Sequence, residues 1–344
     1  MTTNRSRSCV QTGPSKLKRL LARLGAGCLK RGAGGLAIVL LFVAQLPAAL
    51  AQPKETLVWL LRDLPPLMIF EGPKKGQGVI DQLLPQLIAR MPNYDHTLMR
   101  VNRARGLQML QEPPLTCDAA LNWSKERASW MIFSLPVFRA MSNGLAIRRV
   151  DRDVLAPFIR DGEVDLAAVL ASGREKLGII AERNYGEYLD ALLKHAPSSA
   201  LTLHYGNDAL GSLLQMQRLG RLRMLLGYRP EIRYQAVQEG FAEDELQFYP
   251  IRGTGQYLSG YIGCSDTPKA RQVIVEINQV LRSLPRNAVS EAYAAWLDPE
   301  SRSDYLQASR LYFLEQADQD KSQAKRNPEK WGDDSGLNVV RKDQ

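Results

Sequence analysis

Between Thr56 and Leu284, short apolar runs alternate with segments whose apolar residues recur at helical spacing, and this alternation confines the chain to α/β architectures with a mostly parallel sheet. The first strand is expected over residues 56–61 (Thr-Leu-Val-Trp-Leu-Leu), broken by the Pro65-Pro66 pair, and a helix over 79–90 carries Ile80, Leu83, Leu84, Leu87 and Ile88 on one face. The unit repeats as a strand at 96–101, a helix at 103–111 and a strand at 115–121 that ends in Asn122-Trp123-Ser124, with a helix start at Lys125. Further strands are expected at 177–181, 201–204, 222–226 and 257–264, and helices at 186–195, 208–219 and 267–284. That number of elements suits two α/β lobes of ordinary domain size.

The start of the chain has a different character. Eight Lys and Arg residues and no acid precede the apolar run from Gly35 to Leu50, which is interrupted by Gln45 and Pro47 and closes on Ala49-Leu50-Ala51. A basic segment, a short apolar stretch and a small-x-small end make residues 1–51 a signal peptide with cleavage expected after Ala51, giving a periplasmic protein. The run is too short to serve as a membrane-spanning anchor. The net charge of +9 belongs mostly to this segment, since its eight positive charges leave about +1 on the mature chain. No basic run remains for nucleic acid or an anionic membrane.

Of four cysteines, Cys9 and Cys28 lie in the signal segment, which leaves Cys117 and Cys264 as a pair in an oxidising compartment. A disulfide is the natural reading, with two buried thiols as the alternative. Neither cysteine belongs to a metal or C-x-x-C pattern, and neither a metal nor a cofactor is expected. The chain contains no G-x-S-x-G, H-E-x-x-H, Walker A or G-x-G-x-x-G motif, and its three histidines are scattered. No residue is therefore read as catalytic, although a carboxylate pair would leave no fixed spacing to find.

Taken together, Leu60-Leu-Arg-Asp63-Leu-Pro-Pro66-Leu-Met-Ile-Phe70, Gly78-Val-Ile-Asp81, Ser124-Lys-Glu-Arg127 and Phe133-Ser134-Leu-Pro136 resemble the family 3 extracellular solute-binding proteins of ABC importers, many of which carry polar amino acids. The match runs from about residue 57 to 296 and is strongest in the first lobe. It implies the two-lobed type II periplasmic-binding fold with a hinge between lobes: lobe 1 from residues 52–140 and 253–315, lobe 2 from 141–252, and crossings near 138–141 and 249–253. Both Cys117 and Cys264 then fall in lobe 1. Residues 316–344 are polar and read as a disordered tail, with Trp331 as an isolated aromatic.

The resemblance also implies a site. Arg127 matches the residue that grips the ligand's carboxylate, assisted by Asn122 and Ser124 at the strand-to-helix junction, and a guanidinium fork suits that group. An ordinary salt bridge is the competing reading for Arg127. Lobe 2 is expected to supply the opposite wall through the loop containing Glu182, Tyr185 and Gly186. Where amino-acid binders usually carry an Asp for the ligand's ammonium, this chain has Tyr228; Glu182 or Asp63 would have to replace that charge. Phe70, Tyr185 and Tyr228 are candidate apolar walls, with core packing as the alternative for Phe70. The implied partners are a small-molecule solute and a membrane permease or a signalling receptor, with the protein itself a monomer; a degenerate enzyme is the remaining class.

Overall fold

A computed structural model describes residues 53–326, apart from residues 113 and 286. The segment expected to be a signal peptide, the expected cleavage site, Cys9, Cys28, Trp331 and the rest of 327–344 lie outside the described residues.

The first part of lobe 1 comprises β1 (Glu55–Leu61), α1 (Val79–Arg90), β2 (Tyr94–Arg100), α2 (Arg103–Met109), β3 (Thr116–Asn122), β4 (Met131–Phe133) and β5 (Phe138–Met141). Lobe 2 follows as β6 (Gly144–Arg148), β7 (Ile159–Arg160), β8 (Glu163–Val164), α3 (Leu166–Ser172), β9 (Leu177–Ile180), α4 (Glu187–His195), β10 (Leu201–His204), α5 (Ala209–Arg218), β11 (Met224–Gly227), α6 (Arg229–Gln238) and β12 (Leu246–Pro250). The chain returns to lobe 1 through β13 (Tyr257–Ser265), α7 (Pro268–Ser283), α8 (Ala288–Ala294) and α9 (Pro299–Arg326).

The lobe 1 sheet has the order β2-β1-β3-β13-β4, with β5 also paired to β13; that of lobe 2 runs β10-β9-β11-β6-β12. Both are mixed rather than mostly parallel. Strands of the repeated strand-helix units pair in parallel (β1 with β2 and β3, β9 with β10 and β11), whereas β6 and β13, which carry the chain into and out of lobe 2, pair antiparallel. Helices cover both faces of each sheet, so central strands are apolar on both sides: Leu57, Val58, Trp59 and Leu60 of β1 are all buried, as are Met224 to Gly227 of β11.

The recognised motifs have local structural causes. A Cβ on Gly78 would lie 2.3 Å from the Leu67 carbonyl oxygen, so only glycine fits where the proline loop presses on the start of α1. Three residues on, Asp81 accepts hydrogen bonds from the amides of Gly78 (3.0 Å) and Ile69 (2.9 Å), which caps α1 and fixes the loop. Ser134 is fully buried, donates to Leu135 O at 2.7 Å and accepts from Ile262 N at 3.0 Å, joining the β4–β5 connection to β13.

Cys117 and Cys264 sit opposite each other on β3 and β13 and form a disulfide within lobe 1. The crossings consist of residues 142–143 and 251–256, which meet through Ser142 N donating to Gln256 O (2.9 Å), while Asn143 donates to Tyr185 O (3.1 Å). Two expectations need correction. The helix start at Lys125 is only a 3₁₀ turn, Arg127–Ser129. Residues 316–326, read as disordered from their polarity, continue α9. That helix is pinned to lobe 1 by Tyr305, which is buried and donates to Arg139 O (2.8 Å), and by Tyr312, which accepts from Ser259 (3.0 Å); the Gln, Ala and Lys residues that follow are good helix formers.

Candidate functional site

Residues of the two lobes line a common cleft, a concave arrangement of the kind that small-molecule sites use. Lobe 1 contributes the Pro65-Pro66 loop, the end of β3 at Asn122, Arg127 and Arg103; lobe 2 contributes Arg183, Asn184, Tyr228 and Glu231. Apolar surface comes from Leu64, Leu67, Phe138 and Tyr293.

Arg127 is held by its own turn. Ser124 Oγ accepts from the Arg127 amide (3.2 Å), and one guanidinium nitrogen donates to Asn122 O (3.2 Å), which aims the side chain into the cleft. Only 7 % of the residue is exposed, and among the described residues it has no carboxylate within ion-pairing distance. Burial, reinforced by the nearby Arg62 charge, pushes its guanidinium below the ordinary value against the attraction of Asp118 and Asp190. A buried cation that lines a cleft can pair with an anionic group that enters it.

The neighbouring arginines are arranged differently. Arg62, buried at the end of β1, donates to Asp118 (3.1 Å) and Ala120 O (2.6 Å). Arg183 makes a bidentate pair with Glu231 (3.1 and 2.5 Å), both side chains nearly inaccessible, and its guanidinium lies 5.0 Å from the Tyr228 ring centre. Glu231 holds the Arg183 guanidinium above its ordinary value against burial, which acts in the opposite direction.

Asn122 spans the cleft. Its side-chain amide donates to Asn184 O (2.9 Å) and to the Tyr228 hydroxyl (2.9 Å), so two hydrogen bonds join the lobes at the floor of the site. The Asn184 loop is fixed by Asp190, which accepts from the Asn184 side chain (2.6 Å) and the Tyr185 amide (2.9 Å); burial raises the Asp190 carboxyl. Gly186 completes that loop with a φ of +100°, a conformation suited to glycine. At the rim, Asp298 of lobe 1 pairs with Arg229 (3.3 Å) and Arg233 (3.7 Å) of α6, and Tyr234 packs edge-on against Trp296 at 5.8 Å.

The structure thus brings Asn122, Arg127 and Tyr228 together in the cleft, with Ser124 and Gly186 supporting them from behind. The other candidates lie elsewhere. Tyr185 is a core residue of lobe 2, 2 % exposed, and its hydroxyl accepts from Ile180 N (2.8 Å); burial pushes it up to about 12. Glu182 is exposed, with a φ of +58°, and lies outside the cleft lining. Phe70 packs on the lobe 1 core beneath Arg100, whose guanidinium stands 4.2 Å from the ring centre. Asp63 lies on the wall of an adjoining chamber, accepting from the Phe70 amide (3.3 Å), with its carboxyl raised by burial. Sequence reasoning missed Arg62, Arg103, Arg183 and Glu231. Arg62 and Arg183 stood inside segments already recognised, so a surplus of arginine next to the site motifs was the available signal.

This architecture is that of the two-lobed substrate-binding proteins. A histidine kinase sensor domain similar to periplasmic binding proteins matches with a TM-score of 0.54 at 14% identity, over 71% of this chain and 96% of that one. An amino-acid ABC transporter substrate-binding protein from Streptococcus pneumoniae, bound to L-arginine, gives 0.52 at 16% identity over 74% and 96%. An ancestral arginine-binding protein bound to arginine gives 0.52 at 12% identity over 71% and 99%. No protein-family model and no curated protein matches the sequence.

Proposed function

We propose that the chain is a periplasmic solute-binding protein that closes its lobes on a small polar, carboxylate-bearing solute and delivers it to an ABC-type permease. The observation that carries this reading is Arg127: a buried guanidinium without a carboxylate partner among the described residues, lining a cleft whose walls come from both lobes. Lobe closure around a ligand needs only the two short crossings to rotate. Two solved neighbours with this fold are binding proteins with arginine bound, and one of them matches over 74% of this chain and 96% of its own. The absence of an acid at Tyr228, and the engagement of Glu231 by Arg183, favour an acid without a required ammonium group over an α-amino acid. A second reading, in which the same clamp reports to a signalling receptor, is favoured by the sensor-domain neighbour alone.

The test is mass spectrometry of small molecules released by denaturing protein that was gently extracted from the periplasm. A carboxylate-bearing compound retained in near-stoichiometric amount is expected. A retained solute without an acidic group would overturn the assignment of Arg127 as its anchor.

A further inference from the structure

Four guanidinium groups approach the cleft, and two of them are neutralised: Arg62 by Asp118 and Arg183 by Glu231. Arg103 is not. It stands at the first position of α2, is mostly buried, lines both the main cleft and the adjoining chamber, and among the described residues has neither a hydrogen-bond nor an ion-pair partner for its side chain. The charges that act on it are three cations, Arg62, Arg183 and Arg127, and one anion, Glu231, which already serves Arg183. Asp63, the other acid of the adjoining chamber, is only partly buried and turned to its own loop at Phe70 N. Local helix energetics offer no explanation for the position either, because a cation in the first turn of a helix opposes the helix dipole. Burial and this surplus of like charge drive the Arg103 guanidinium well below its ordinary value.

Building on the clamp proposed above, we infer that Arg103 is a second anion-binding position in the cleft and that the solute carries two anionic groups, one for Arg127 and one for Arg103. A dianion brings the two charges that the four arginines and two paired acids leave unbalanced. It also explains why a lobe 2 acid stands where it pairs with Arg183 rather than where it would meet a ligand ammonium.

The experiment is calorimetric titration of the mature protein, freed of retained solute, with the α,ω-dicarboxylates from malonate to adipate. Each is compared with the monocarboxylate of equal chain length, and 3-phosphonopropionate serves as the mixed dianion. Wild type is expected to bind its preferred dianion at least about tenfold tighter than the matching monocarboxylate, the scale of one charge-assisted hydrogen bond. Arg103→Gln is expected to erase that preference by weakening the dianion at least about tenfold more than the monocarboxylate, and Arg103→Lys to restore part of it, since a point charge replaces the fork. Arg127→Gln is expected to weaken both classes. Equal binding of mono- and dianions by wild type, or a dianion preference that survives in Arg103→Gln, would overturn the second position and leave the Arg127 clamp standing. Failure of every carboxylate and of the phosphonate to bind would overturn both.

Discussion

The side-chain amide of Asn122, at the end of a lobe 1 strand, donates a 2.9 Å hydrogen bond to the hydroxyl of Tyr228, at the head of a lobe 2 helix. With its bond to Asn184 O, Asn122 makes two contacts between the lobes, which any separation of the lobes would break. A hydrogen bond contributes a net of roughly 0.5–1.5 kcal/mol. Asn122→Ala is therefore expected to weaken solute affinity about five- to tenfold, chiefly through faster release, and Tyr228→Phe by less. The unliganded melting temperature of each variant should stay close to wild type. Stopped-flow release rates check this; an unchanged rate in Asn122→Ala would remove the residue from lobe closure.

Glu231 and Arg183 belong to the same lobe, so their pair supports the lobe 2 wall rather than closure. Removing one partner of a buried bidentate pair leaves an uncompensated charge and costs about 3–5 kcal/mol. Glu231→Ala should lower the melting temperature even without solute, whereas Glu231→Ala combined with Arg183→Met should recover much of the loss. Calorimetric melting of the two proteins decides the matter; a single variant as stable as wild type would contradict the account.

Asp298 gives the rim a pH dependence of known sign. Burial pushes its carboxyl up, but hydrogen bonds from Ser301 and the Arg229 guanidinium outweigh this and hold it below the usual carboxylate range. A depressed acid stabilises above its free value of about 3.9 and loses that contribution as the pH falls through its lowered value. The pairs with Arg229 and Arg233 are partly exposed, so their contribution to closure is at most about 1 kcal/mol and is screened by salt. Asp298→Asn is expected to weaken affinity no more than about fivefold at neutral pH and low ionic strength, with the difference vanishing at high salt or at acidic pH. A salt-independent loss would assign Asp298 a role other than this ion pairing.

Much of this could be read from the residues. Alternating periodicity marks both lobes, and Gly78, Asp81, Ser124 and Arg127 stand in motifs whose spacing reflects local geometry: one glycine under a carbonyl, one carboxylate on two amides, one hydroxyl behind the guanidinium. What stayed hidden depends on the lobes meeting. Arg103 and Glu231 stand far apart in sequence and border one cavity only because the chain crosses twice. Tyr185 reads as a cleft aromatic because its neighbours Arg183 and Asn184 are cleft residues, yet the turn at Gly186 sends its ring into the lobe 2 core. The mixed character of the sheets was hidden for the same reason, since β6 and β13 take their direction from the crossings.

The disulfide ties β3 to β13 without touching either crossing. It closes a loop that contains all of lobe 2, and the chain-entropy model assigns such a loop about 5 kcal/mol. Denatured, unreduced protein should show no free thiol from Cys117 or Cys264. Cys117→Ala with Cys264→Ala should melt at a lower temperature while keeping solute affinity within about twofold, because the hinge is left free. A large loss of affinity in the double variant would mean that the bond shapes the cleft itself.

The most direct test of the central claim is calorimetric titration of Arg127→Ala with the solute that co-purifies with wild type, alongside unliganded melting curves. Truncating one partner of a desolvated charge pair costs about 2–5 kcal/mol. Affinity should therefore fall at least about tenfold, Arg127→Lys should recover it only in part, and the unliganded melting temperature should barely move. Wild-type affinity in Arg127→Ala, or a variant that melts far below wild type before any solute is added, would make Arg127 a structural residue and contradict the account.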